Sequence, residues 1–322
     1  MNKFKFYFIL SFISLTLFSC DKDDDTKLTP PRDRAEQYVK DLDSIEKYLK
    51  THYLNPIVVD GMVDVEIIKI PTGGTQVSIW DNTDYPLKSK IVKNDNRSTN
   101  FTDGRVDDAV DYKLYYLILN EGGGDRAATV DSVYTTYRGW KLDNVAFDNN
   151  NSGIWSTFPA LTSGESAFIS GYRQFIPEIK ASTSAVTNPD GTISYVNTGA
   201  GVVFIPSGLG YFNESRPSLP AYSPLVFTIR LHSVFYRDHD RDGIKSFNED
   251  LNHDGDYYND DTDGDTAPDF LDVDDDEDMY LTKAEIRNAA GQRYEFDLIP
   301  NCQNTTGGLK RYLDPSCFKD PE

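Results

Sequence analysis

Asp238, Asp240 and Asp242 alternate along the chain, Gly243 follows, Ile244 and Ser246 come next in alternation, and Glu249 closes a twelve-residue frame. Such a frame suits a hard divalent cation, which takes roughly six to eight oxygens from carboxylates, a backbone carbonyl at the seventh position, a hydroxyl or water at the ninth, and a bidentate carboxylate at the twelfth. The run Asp274, Asp276, Asp278, Tyr280, Thr282 and Glu285 repeats the frame, with Met279 in place of the glycine that eases the sharp turn. Asp250, Asn252, Asp254, Asp256 and Asp261 offer a looser third register between them. A charge run is usually a solvated face. Here the alternation, the placed Gly243 and the twelfth-position Glu249 argue for calcium as a structural ion, because without a cation the clustered carboxylates repel one another.

The two frames resemble the EF-hand calcium loop, and Asp261-Thr262-Asp263-Gly264-Asp265 resembles thrombospondin type 3 calcium repeats. The flanks lack the long helices of a calcium sensor. Other chemistry is poorly supplied. His52, His232, His239 and His253 form no catalytic spacing, and no Ser or Cys nucleophile motif appears. Gly122 to Gly124 lack the Lys-Ser/Thr of a phosphate loop and read as a tight turn. Cys302 and Cys317 lack zinc co-ligands, so export into an oxidising compartment predicts a disulfide between them.

These residues need a scaffold. With 39% hydrophobic and 13% aromatic residues, the 322-residue chain has the means for a packed core. Its net charge of −20 disfavours nucleic acid and favours cations. Residues 1–19 read as a signal peptide: a basic start, then a Phe/Ile/Leu run too short to span a bilayer. The run ends in Leu17-Phe18-Ser19-Cys20, which resembles a bacterial lipobox and implies lipidation of Cys20; an ordinary signal peptide with a chance cysteine is the other reading. The acidic run after Cys20 resembles the surface-export signal of Bacteroidetes lipoproteins. It implies an outer-membrane anchor facing outward, or alternatively on the periplasmic face. Residues 20–32 then form a hydrophilic tether. Apolar positions Ala35, Tyr38, Val39, Leu42, Ile45, Leu49 and Tyr53 predict an amphipathic helix over 33–54 with Asp33 as its cap. Short β-rich runs divided by Gly/Pro/Asn turns predict an antiparallel sheet over 55–235, with one short helix near Tyr172. An acidic calcium-binding segment over 236–287 and a tail over 288–322 complete the expected organisation.

Within 55–235 a series of segments resembles the FKBP-type peptidyl-prolyl cis-trans isomerase family, in the family's own order. Tyr137-Arg138-Gly139 is similar to the early Tyr-x-Gly strand, and Phe147-Asp148-Asn149-Asn150 to the Phe-Asp-Ser-Ser segment. Phe168-Ile169-Ser170-Gly171-Tyr172 resembles the Val-Ile-x-Gly-Trp entry to the central helix. Ile205-Pro206 through Tyr211 resembles the Ile-Pro-x-x-x-Tyr loop, and Leu219-Pro220 with Leu225-Val226-Phe227 the closing segments. The resemblance implies an α+β fold, a curved antiparallel sheet around one short helix. It also implies a proline pocket lined by Tyr137, Phe147, Asp148, Phe168, Ile169, Tyr172, Tyr211, Leu219 and Phe227, with X-Pro segments of exported proteins as substrates. In it Tyr172, where the family has Trp, would floor the pocket, Tyr137 would donate a hydrogen bond to Asp148, and Tyr211 would donate to a peptide carbonyl. The additional chain over 180–198 has no counterpart in a minimal domain and is expected to cover or extend the pocket. An inactive scaffold kept for protein binding is the alternative.

Overall fold

The computed structural model describes residues 30–59, 61–97, 105–302 and 308–317; the signal peptide, Cys20 and most of the tether lie outside them. The chain is mixed α/β, with antiparallel sheets and few helices. Helix α1 runs Arg34–Thr51, and the Asp33 side chain caps it by accepting from the Glu36 N–H at 2.9 Å. It stops earlier than the stripe over 33–54 suggests, because His52 turns extended and opens β1 (His52–Val59), which pairs with β2 (Met62–Lys69) in a hairpin.

The main sheet has six strands: β3 (Lys88–Val92), β4 (Tyr112–Asn120), β5 (Ser132–Lys141), β6 (Ala146–Thr157), β9 (Gly199–Ile205) and β10 (Leu225–Phe235). Their order is β3-β4-β9-β10-β5-β6, every pair antiparallel, so β3 and β6 are its edges. Strand alternation gives the sheet two buried faces. Leu114, Tyr116, Val203, Ile205, Phe227 and Ile229 pack one way, against helix α2 (Ser170–Phe175) and the 3₁₀ turn after it. Tyr115, Leu117, Val202, Phe204 and Val226 pack the other way, against Ile45, Tyr48 and Leu49 of α1 and Val65 and Ile67 of β2. Burying each such side chain contributes about 1.5–3 kcal/mol, which is why a helix of modest intrinsic propensity holds its place.

Two buried polar ties fix these layers. Asp41 of α1 accepts from the N–H and Oγ of Ser207 at 2.8 and 2.6 Å, anchoring the loop that follows β9. Asp64 of β2 takes Arg138 at 2.8 Å and Arg230 at 2.6 Å, joining the hairpin to β5 and β10. The chain over 180–198 forms a small hairpin, β7 (Ser184–Thr187) and β8 (Ile193–Val196), turning at Asn188 to Gly191.

After β10 the acidic segment docks on the sheet unit through Val130, Tyr257 and Phe270. Asp256 pairs with Arg97 and Arg105, and the Arg97 guanidinium lies 3.5 Å from the Tyr258 ring centre. The tail folds back so that Ile299, Tyr312 and Leu313 join Ile244 and Ile286 in an apolar cluster under the loops. Among the described residues no helix is long and apolar enough to cross a membrane.

Candidate functional site

β5, β6, α2 and the loop after β9 bring an aromatic cluster together beside a cleft of about 320 Å³. Its walls include Asp148, Phe168, Ile169, Tyr211 and Phe227 from the sequence-predicted set, together with Asn96 and Arg216, which the sequence did not single out. The Tyr137 hydroxyl donates to Asp148 at 2.9 Å, and burial together with that carboxylate pushes the Tyr137 hydroxyl above its ordinary range. Tyr137 also meets Phe168, Tyr172 and Phe227 edge-on at 5.3–5.9 Å. Phe147 stands edge-on to Phe227 at 5.5 Å. Register shifts in the β5–β6 pairing between Thr135 and Tyr137 and between Gly139 and Trp140 flank this pair of strands at the cleft.

Tyr172 and Leu219 belong to the core instead of the open surface. Tyr172 is fully buried: its hydroxyl donates to Thr135 Oγ1 at 3.0 Å, and the Phe168 ring stacks on it with centroids 4.0 Å apart. The floor position is therefore roofed by Phe168, a ring where the resembled family has the smaller Val. Gly171 is required beneath this pair, since a Cβ there would stand 2.5 Å from Ile205 Cγ2. Tyr211 is partly buried under the Arg216 guanidinium, 4.1 Å from the ring centre, and burial raises its hydroxyl. Asp41 and Asn94, which donates to the Gly208 carbonyl at 3.1 Å, hold the loop that presents it.

The 180–198 hairpin does not line the cleft. It packs by Tyr195 on His232, centroids 4.3 Å apart, toward the end of β10 away from Phe227. In the segment leading to Ala167 of the cleft, Glu165 accepts from the N–H groups of Leu161 and Thr162 and pairs at 3.1 Å with Arg237, which immediately precedes the acidic loops.

Those loops share one backbone pattern. In 238–249 the N–H of Asp242 donates to Asp240 and that of Ile244 to Asp242; in 274–285 Asp278 donates to Asp276 and Tyr280 to Asp278. The ninth-position hydroxyls, Ser246 and Thr282, accept from the second-position N–H groups of His239 and Asp275. Met279 adopts φ +77°, the left-handed conformation that Gly243 supplies at the matching position with φ +113°. The intervening stretches carry the same pattern at Asp254 and Asp256 and at Asp265 and Ala267.

Among the described residues three carboxylate groups converge: Asp240, Asp242, Glu249 and Asp275; Asp261, Asp263 and Asp265; and Asp274, Asp276 and Asp278. Asp238 and Glu285 lie beside these groups, and both oxygens of the fully buried Glu285 lack a hydrogen-bond partner. Glu249 and Asp275, each 1% exposed, are in the same position. Burial, then neighbouring carboxylates, pushes Glu285 up to about 9 and raises Asp240, Asp242, Glu249 and Asp275. Buried anionic oxygens without donors are costly unless a cation takes them, so the donor set fits a hard divalent ion. Cys302 and Cys317 are both thiols here, and no bond joins them; they are hydrogen-bonding neighbours, and that contact pushes Cys302 up to about 11.

The family model described as BamM C-terminal matches residues 239–308. No curated protein matches the chain. Among solved structures it is similar to FkpA from Escherichia coli, at 23% identity over 38% of this chain and 47% of that one, with a TM-score of 0.29. It is also similar to a peptidyl-prolyl cis-trans isomerase from Pseudomonas syringae pv. tomato, at 20% identity over 42% of this chain and 79% of that one, TM-score 0.29. The N-terminal domain of FKBP42 from Arabidopsis thaliana is similar at 16% identity over 39% of this chain and 88% of that one, TM-score 0.30. The matched region thus spans about half of FkpA.

Proposed function

We propose that the chain is an exported, Cys20-lipidated peptidyl-prolyl cis-trans isomerase with an FKBP-like sheet, acting on X-Pro segments of exported proteins and carrying structural calcium in its acidic loops. The observation that carries the isomerase reading is the Tyr137 hydroxyl donating to Asp148 at 2.9 Å, at the rim of an aromatic cleft that also holds Tyr211 and Phe227.

The chemistry needs no nucleophile. Rotation about the amide is opposed by roughly 18–20 kcal/mol of resonance. The twisted state has lost that resonance and is less polar about C–N, so a water-poor aromatic cleft favours it over the planar state. In this reading Phe168, Ile169 and Phe227 contact the proline ring and Tyr211 donates to a peptide carbonyl. Asp148, oriented by Tyr137, faces the rotating carbonyl. A second reading, a protein-binding module that turns nothing over, is favoured by one observation: the Phe168 ring covers the Tyr172 face on which proline would rest.

Calcium would be held by Asp238, Asp240, Asp242, Glu249 and the Ile244 carbonyl in the first loop. The second loop would use Asp274, Asp276, Asp278, Glu285 and the Tyr280 carbonyl. Bound there, the ion supplies charge neutralisation for the buried carboxylates and takes no part in the cleft.

The test is a proline isomerisation assay on X-Pro peptides with calcium present, using the chain from Thr26 onward, which keeps the whole Asp33–Glu322 unit. Acceleration that is lost in an Asp148→Ala, Tyr211→Phe double variant supports the isomerase. A folded wild type that gives no acceleration moves the function to peptide binding.

A further inference from the structure

The 238–249 and 274–285 loops meet at a carboxylate that neither twelve-residue frame assigns. Asp275 stands at the second position of the 274–285 loop, where the frame has no ligand. Its carboxylate groups with Asp240, Asp242 and Glu249 of the other loop, their oxygens all within 4.8 Å of one another, and not with Asp274, Asp276 and Asp278 beside it. Asp275 and Glu249 are each 1% exposed, and all four of their carboxylate oxygens lack a hydrogen-bond partner. The Arg293 guanidinium nearby donates to the Gly243 carbonyl at 2.9 Å. Four carboxylates thus converge with buried, unpartnered oxygens, an arrangement that a divalent cation neutralises and water cannot reach.

We propose that Asp275 is a ligand of the first loop's calcium, so that the 274–285 loop closes the 238–249 site from outside and the two loops bind as one unit. This assignment rests on the calcium reading of the loops. Its backbone supports it: the Asp275 N–H donates to Thr282 Oγ1 at 3.2 Å, so the folding of its own loop sets where Asp275 stands. Ile244, the seventh residue of the first loop, and Ile286, which follows Glu285 at the end of the second, are clamped in the same apolar cluster. Filling the second site therefore orders a ligand of the first, and the two occupancies are positively coupled.

The experiment compares the full chain in detergent with Asp275→Asn and with Glu277→Gln, which removes an exposed carboxylate of the same loop and so controls for net charge. Calcium is titrated calorimetrically, and each protein is melted at pH 8 in calcium and in chelator. Wild type and E277Q are expected to bind alike, whereas D275N loses an ion or binds it about tenfold or more weakly, since affinity follows the ligand charge count. The melts should invert. In chelator D275N melts above wild type, because its amide N–H groups donate to the carboxylates around it; in calcium it melts below. A D275N indistinguishable from E277Q overturns the assignment, and so does a D275N that melts lower, or fails to fold, in both conditions, which is the behaviour of a packing residue. A wild type that binds no calcium overturns the loop reading itself.

Discussion

Withdrawing divalent cations should loosen the whole Asp33–Glu322 unit, because the acidic segment is packed into it through Val130, Tyr257 and Phe270 and is not a free tail. Two sites filled at a hundred times their dissociation constant each stabilise the fold by about 2.7 kcal/mol, or about 5 kcal/mol together. A unit of this size unfolds with an entropy of about 0.6 kcal/mol per degree, so chelation should lower Tm by about 9 °C. The loss should also depend on pH. Burial and like charges raise Glu285 to about 9, with Glu249 and Asp275 shifted the same way, while in the unfolded chain these groups titrate near pH ~4. The metal-free fold thus retains protons that the unfolded chain has released. The stability these groups contribute is full below pH ~4 and is lost progressively as pH rises toward 9. Melts followed by near-ultraviolet circular dichroism at pH 5, 7 and 9 provide the assay. The calcium-loaded protein should hold its Tm between pH 7 and 9 while the chelated one falls. Superimposable melts in calcium and chelator at pH 9 would refute the reasoning.

Four further outcomes follow from the packing. Tyr137→Phe and Asp148→Asn should each cost about 1 kcal/mol in urea denaturation, with a double-mutant coupling near the same value, since one charge-assisted hydrogen bond at a partly exposed rim links them. Phe168→Val should uncover the Tyr172 face, raising peptide affinity or turnover while costing about 1–2 kcal/mol of stability; unchanged binding in a peptide titration would show that the Phe168 ring does not obstruct the site. Asp64→Ala leaves Arg230 buried without its carboxylate and should cost about 3 kcal/mol in chemical denaturation, far more than removing the exposed pair Arg216–Glu214. Met279→Gly should stabilise the calcium-loaded protein by about 1 kcal/mol, because the residue already sits at φ +77° and its side chain is 91% exposed.

Much of the sheet was legible because β4, β9 and β10 are dense in Val, Ile, Leu and aromatic residues between clear turns. β6 was harder to read, since Asp148-Asn149-Asn150-Asn151-Ser152-Gly153 has neither alternation nor β-branched residues; tertiary pairing with β5 makes it a strand. The helix stripe ran on past its true end because Tyr53 continues the spacing, although His52 had already turned extended. The aromatic series marked the cleft, but no spacing shows that Phe168 lies over Tyr172, or that Asn96 and Arg216 arrive from separate loops. The place of Asp275 was invisible for a related reason: a linear frame counts positions within one loop, and this carboxylate cluster is assembled from two.

The exposed edge of the main sheet at β6 has a consequence for the company the protein keeps. A bare strand edge invites a second copy to zip alongside it and seed aggregation. The stretch Asp148 to Gly153 offers that edge with a charge, amides and a glycine, no apolar face to bury, and a register shift that spoils straight pairing. Copies crowded together should therefore find no straight, apolar register along this stretch and slide past one another.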